Sequence, residues 1–235
     1  MCLVFEKVNT GGKPLDAFEL VTAMYAAQGF ELRKDWLGEG AESGRYTRLA
    51  AFGRAADHDY GLLEKVASTD FLQAVALMHT KERRSAAVAT GREAHELSPV
   101  SATRQSLLNL PLAAYKTYAD PVENGFKTAA KFLRLQRVYR VLDVPYQSQL
   151  VPLAVIFSEV GHAWENAAIR QKIAQWFWNG VFGELYGSAT ESRFGARCCR
   201  GAGMARGAGY SNHHQGFRVP CGPPPHDAHS VIRGL

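Results

Sequence analysis

A mainly α-helical fold is expected from three observations. Apolar residues recur at three- and four-residue spacing over most of the body, Asp16 and Glu19 stand in capping-box register ahead of the first such stretch, and only Leu3 to Val8 reads as a strand or extended segment. The expected organisation is a truncated remnant of an α+β domain with its following helices over residues 1–79, a flexible connection over 80–101, a helical domain over 102–194 and a disordered tail over 195–235.

The elements are justified in chain order. Asp16 can accept from the free N–H groups of a first helical turn, Leu20, Val21, Met24 and Tyr25 then repeat at helical spacing, and Gly29 is a natural end. Asp35 to Asp57 holds Gly38, Gly40, Gly44 and Gly53 among mixed polar residues, which predicts mostly loop with one helical turn near Tyr46 to Phe52. A second helix is predicted over Tyr60 to His79. Thr80 to Ser101 is polar and lacks a sustained period. Further helices are expected near Thr103 to Leu108, over Pro121 to Leu142, over Gln149 to Val160 and from Trp164 to about Tyr186; Pro145 separates the middle pair and Gly161 ends the third.

Of the 235 residues, 46% are hydrophobic and 21% charged, within the ordinary range of globular proteins. The formal charge is +5, but residues 195–235 hold five arginines and one acid, leaving 22 basic against 21 acidic side chains in the rest. The basicity therefore belongs to the tail and creates no general steering field. No run of 18 apolar residues exists and Cys2-Leu3-Val4-Phe5 is too short for a signal-peptide core, so a cytoplasmic location without membrane association is the expectation. Three of the four cysteines lie in the tail, which argues against a disulfide framework.

Several segments bear on chemistry. Asn9-Thr10-Gly11-Gly12, with Lys7 just upstream, can turn successive N–H groups toward an anion before a helix start, yet Asp16 and Glu19 already occupy that helix end and would repel phosphate. It is no P-loop, because Lys7 stands where the first glycine is required and neither Ser nor Thr follows Lys13. Lys127, Lys131 and Arg134 share one face of a helix and form a candidate DNA-backbone row, against the plainer reading of a solvated face opposite Phe126, Ala129, Ala130 and Leu133. Trp178, Phe182 and Tyr186 beside Gly180, Gly183 and Gly187 read as tight helix packing in the core. In the tail, Cys198, Cys199, His213, His214, Cys221, His226 and His229 include enough soft ligands for zinc but no Cys-x-x-Cys knuckle, and Asn212-His213-His214 lacks the strand and helix frame of an HNH site. No catalytic residue or metal ligand is assigned.

Phe5-Glu6-Lys7-Val8-Asn9-Thr10-Gly11-Gly12-Lys13-Pro14-Leu15-Asp16-Ala17-Phe18-Glu19-Leu20 resembles part of the N-terminal domain of GmrSD-type restriction endonucleases, a ParB/sulfiredoxin-like family. Ala129 to Leu133, Val144 to Ala154, Gly183 to Gly187 and Glu191 to Phe194 extend the resemblance to about 190 residues. The resemblance implies a nucleoside triphosphate with a divalent metal in intact relatives, bound through an Asp-Gly-Gln-Gln-Arg motif, and control of an HNH domain that cuts modified DNA. Neither element is found here; Gln136-Arg137 follows Arg134-Leu135 instead of Asp-Gly. The implied inheritance is a scaffold, with a nucleotide contact at Lys7, Asn9, Thr10, Gly11 and Gly12 the residual expectation, no cofactor of its own, DNA reached through the intact protein, and homo-oligomerisation allowed.

The tail reads as the product of a frameshift near Phe194. Gly195 to Gly207 can be encoded so that a one-nucleotide shift yields an acidic, helix-periodic string, and the last 41 residues hold eight glycines, four prolines, four histidines and three cysteines without apolar periodicity. The chain is thus expected to be a fragment, not an enzyme by itself, with an apolar face of its first helix left exposed by missing strands. The rival expectation is a non-enzymatic helical binding module with a zinc- or nucleic-acid-binding tail.

Overall fold

The structure, a computed structural model, describes residues 16–52 and 61–183. Helix α1, Ala17–Ala26, starts as its sequence requires: Asp16 Oδ1 accepts from Glu19 N–H at 2.8 Å and Glu19 Oε2 accepts from Asp16 N–H at 3.0 Å. Gly29, at φ 75°, reverses the chain after it, and Phe30 N–H reaches back to the Tyr25 carbonyl to close the end. The apolar face of α1 is not exposed, contrary to the expectation: Phe18, Leu20, Val21 and Tyr25 are buried, and Phe18 meets the Trp36 ring edge-on.

The glycine-rich stretch after α1 is more ordered than its composition predicts. Helix α2, Leu32–Leu37, leads into a two-stranded antiparallel hairpin, β1 Gly38–Glu39 and β2 Glu42–Ser43, and helix α3 spans Arg45–Ala51. A side chain at Gly44 would collide with the backbone of residues 36–38, so the glycines permit a close return of the chain. Trp36 and Leu49, planted on the two short helices, anchor them in the core.

Helix α4, Ser68–Ala89, corrects both the expected 60–79 helix and the flexible connection at 80–101. Residues 80–89 stay helical although polar, because Lys81 and Arg84 find partners outside the helix. Lys81 Nζ pairs with Glu159 Oε2 at 2.5 Å and Arg84 Nη1 donates to the Ser98 carbonyl at 3.1 Å. Thr80 Oγ1 receives Ser101 N–H at 3.1 Å, tying down the end of the connection.

Helix α5 is Arg104–Leu108, α6 is Leu112–Leu135, α7 is Leu150–Val160 and α8 is Ala167–Phe182. Helix α6 begins nine residues before the expected start at Pro121, which instead lies inside it. Gly161, at φ 53°, ends α7 as expected, and Asn166 caps α8 through its side-chain oxygen. Helices α6 and α7 pack most extensively, α4 lies against both, and α1 joins α4 and α5. One hydrophobic cluster runs from Ala17 to Phe177 through all these helices, so the residues on either side of 80–101 share a core. At the far end Trp178 is half-buried but Phe182 is 79% exposed, which corrects its assignment to the core. Among the described residues no helix is long and apolar enough to cross a membrane.

The α6–α7 crossing is set by Gly125. A Cβ there would overlap the Ala154 carbonyl oxygen and the Ser158 hydroxyl, and Ser158 Oγ in turn bonds the Pro121 carbonyl at 3.0 Å across the crossing. Alanine is the better helix former by about 1 kcal/mol, whereas forcing a methyl into a packed contact costs about 1–3 kcal/mol. Gly125→Ala is therefore expected to lower stability, by up to about 2 kcal/mol. Urea unfolding monitored at the tryptophans checks this; a midpoint above that of the wild type would mean that the crossing yields without cost.

Candidate functional site

Lys7, Asn9, Thr10, Gly11 and Gly12 lie outside the described residues, as does the whole cysteine- and histidine-bearing tail. What is described is the helix start next to that loop. Asp16 and Glu19 close the α1 N-terminus reciprocally, each carboxylate holding a backbone N–H. Two acids thus sit where a phosphate would use the positive end of the helix dipole, so α1 does not fit an anion at this point.

Among the described residues, the densest group of titratable side chains lies elsewhere, between α2, α3 and α6. Arg45 is its centre: Nε donates to Asp35 Oδ2 at 2.7 Å, and Nη1 donates to Asp120 Oδ1 at 2.7 Å and Glu123 Oε2 at 2.9 Å. Arg48, one turn along α3, holds Glu123 with a two-pronged grip, Nε to Oε1 at 2.9 Å and Nη2 to Oε2 at 2.8 Å. Lys127 Nζ adds a contact to Glu123 Oε1 at 2.7 Å, and Tyr115 donates to Asp35 Oδ2 at 2.5 Å. The Arg45 and Glu123 side chains keep only 10% and 7% of their surface. Arg45 also lies 5.8 Å from the Phe71 ring centre.

Three acids and three bases balance one another here, and that balance limits the chemistry. Burial would raise the Glu123 carboxyl, but the hydrogen bonds and charges of Arg48 and Lys127 outweigh it and draw the group down to about 2. A carboxylate so stabilised is a poor proton acceptor near neutrality. Burial first, then the neighbouring Asp35 charge, pushes the Tyr115 hydroxyl above its ordinary range, so it is a poor acid as well. Burial would likewise lower Arg45, yet its bonds to Asp35 and Asp120 hold it above its usual value and permanently charged. The cluster has the character of a clamp between α2, α3 and α6.

The three residues of the expected DNA row all lie on α6, in different surroundings. Lys127 is drawn into the clamp, Lys131 lies 5.9 Å from the Phe52 ring centre, and Arg134 stands exposed near the end of α6. The i,i+4 pair Glu123 and Lys127 and the i,i+3 pair Arg45 and Arg48 were visible signals for the clamp. Its long-range members, Asp35 and Tyr115, carried none.

Two other polar contacts are buried. Lys81 and Glu159 join α4 to α7, and Gln149, fully buried before α7, donates through Nε2 to the Phe177 carbonyl at 2.9 Å. Among the described residues no group of three or more His, Cys, Asp or Glu side chains is arranged to hold a metal ion. Comparison of the chain with protein-family models, curated proteins and solved structures gives no match.

Glu123→Gln removes the charge that Arg45, Arg48 and Lys127 share, leaving cations short of a partner in a mostly buried site, and is expected to cost about 3 kcal/mol at neutral pH. Because the folded-state value of Glu123 is depressed from 4.5 to about 2, its stabilisation is fully present above 4.5 and disappears as pH falls toward 2. The stability difference between wild type and Glu123→Gln, measured by chemical denaturation across this window, should narrow toward acid. A difference independent of pH would contradict the ionised clamp.

Proposed function

We propose that this chain is the scaffold portion of a nucleotide-dependent, modification-dependent restriction endonuclease subunit, without catalysis of its own. The observation that carries the reading is where the family-like residues lie. Ala129, Ala130, Phe132 and Leu133 on α6, and Leu150, Val151, Leu153 and Ala154 on α7, are buried. These segments resemble GmrSD-type proteins at positions that build the central helix pair, so the likeness resides in packing rather than in reactive groups. The neutralised clamp between α2, α3 and α6 is in keeping with a supporting part. On this reading the α1 segment is the remnant of a ParB-like domain. Lys7, Asn9, Thr10, Gly11 and Gly12 contact the phosphates of a magnesium-bound nucleoside triphosphate with their own amides and ammonium group, since Asp16 and Glu19 disfavour phosphate at the α1 end. DNA is engaged through the larger assembly.

Ligand-dependent thermal denaturation of the full chain tests this. Magnesium with ATP or GTP, at about 100 times the dissociation constant, is expected to stabilise the fold by about 2.7 kcal/mol. A Lys7→Ala, Asn9→Ala double variant should lose that shift, and no phosphate should be released. Failure of both nucleotides to shift the transition would overturn the nucleotide contact, and phosphate release by the chain alone would overturn the supporting role.

A further inference from the structure

The exposed corner where α6 ends against the last turns of α8 combines three features that the clamp and the nucleotide loop leave unused. The first is backbone strain. Arg137 is the one non-glycine among the described residues with a left-handed backbone, at φ 64°. It occupies the reversal after α6, where Val138 N–H reaches back to the Leu133 carbonyl at 3.0 Å, a position that glycine fills without steric cost. An arginine there bears a steric cost that glycine would avoid; it is exposed, and its Nη1 donates to the Tyr139 hydroxyl at 3.2 Å.

The second feature is an aromatic pair. Trp178 packs against the core and is oriented by its Nε1–H bond to Gln136 Oε1 at 3.0 Å, beside Arg137 in the chain. Phe182 stacks on Trp178 with centroids 5.8 Å apart and planes 25° from parallel, and it is 79% exposed. One ring face is thus supported by tryptophan while much of the side chain stands in water. The third feature is charge. Arg134, Arg137 and Arg140 follow one another at and beyond the end of α6, and residues 124–142 hold no Asp or Glu; Lys127, nearer the middle of α6, belongs to the clamp. Asp143 is held in a fork by Arg140 at 2.9 Å.

We propose that this corner binds single-stranded nucleic acid, with Phe182 on its Trp178 support stacking an unpaired base and Arg137 holding an adjacent phosphate. Stacking platforms bordered by cations are how unpaired strands are held without sequence selection. A paired duplex hides its base faces and offers Phe182 nothing to stack on. The inference stands apart from the nucleotide-linked reading, since neither the residues nor the ligand are shared.

Anisotropy titrations of the full chain with fluorescein-labelled oligothymidylate, and with a duplex of equal length, test it. Single strands should bind more tightly than duplex, and Phe182→Ala should weaken single-strand binding about tenfold. Arg137→Gly suits the left-handed turn, so its thermal midpoint should equal or exceed the wild-type value while affinity falls several-fold and the salt dependence becomes shallower by about 0.7 in log–log slope. Lys116→Gln, at the opposite end of α6, should bind as wild type. Duplex binding equal to or tighter than single-strand binding, unchanged affinity in both corner variants, or an equal loss in Lys116→Gln would each overturn the proposal.

Discussion

The close approach of α6 to α7 at Gly125 is the constraint on which the rest of the structure depends. With no side chain at that point, the α6 backbone rests on the Ala154 carbonyl and the Ser158 hydroxyl, and Ser158 bonds back to the Pro121 carbonyl. The two helices then present Phe132 and Phe157 to each other with centroids 5.4 Å apart, and α4 closes over the pair. Phe177 of α8 meets Phe132 from the side, which sets the position of Trp178 one residue later. A wider crossing would open voids along this whole seam, at a cost that grows with cavity volume.

The same arrangement determines which charges are used internally. Helix α6 carries Asp120, Glu123 and Lys127 on the side that meets α2 and α3, and there all three are drawn into the Arg45 clamp. Toward its other end α6 has no acids, and the fold places no acid of α8 beside it. One helix therefore serves as an internal electrostatic anchor at its middle and as a basic surface at its end. Buried pairs of this kind contribute little net stability compared with apolar packing, but removing one partner is costly. Their effect is to specify how the two short helices sit on α6.

Much of the helical framework was legible in the sequence because its signals are local. The α1 capping box, the Gly29 reversal, the Gly161 stop and the apolar repeat of α7 each depend on residues a few positions apart. The errors share one physical origin. Glycine-rich residues 35–52 form α2, a hairpin and α3 because Trp36 and Leu49 are buried by distant helices, and polar residues 80–89 remain helical because Glu159 and the Ser98 carbonyl receive their cations. Pro121 was read as a helix start, yet the helix accommodates it in its interior.

For the candidate sites the division is sharper. Lys127 and Arg134 could be assigned to a common face of a helix, but only the tertiary structure set Glu123, and with it Lys127, against Arg45 and Arg48 while Arg134 stayed at the surface. The aromatic repeat of α8 was visible, while the exposure of Phe182 was not, since exposure depends on which neighbours a residue acquires. By itself the sequence determined the helical class, the start of α1 and the ends of α1 and α7, because capping, glycine stereochemistry and apolar periodicity act over one or two turns. The tertiary structure alone decided how Arg45 and Arg48 find Asp120 and Glu123, 75 to 78 positions away, and how Trp178 finds Gln136, 42 positions away, because such residues meet only after the core has assembled.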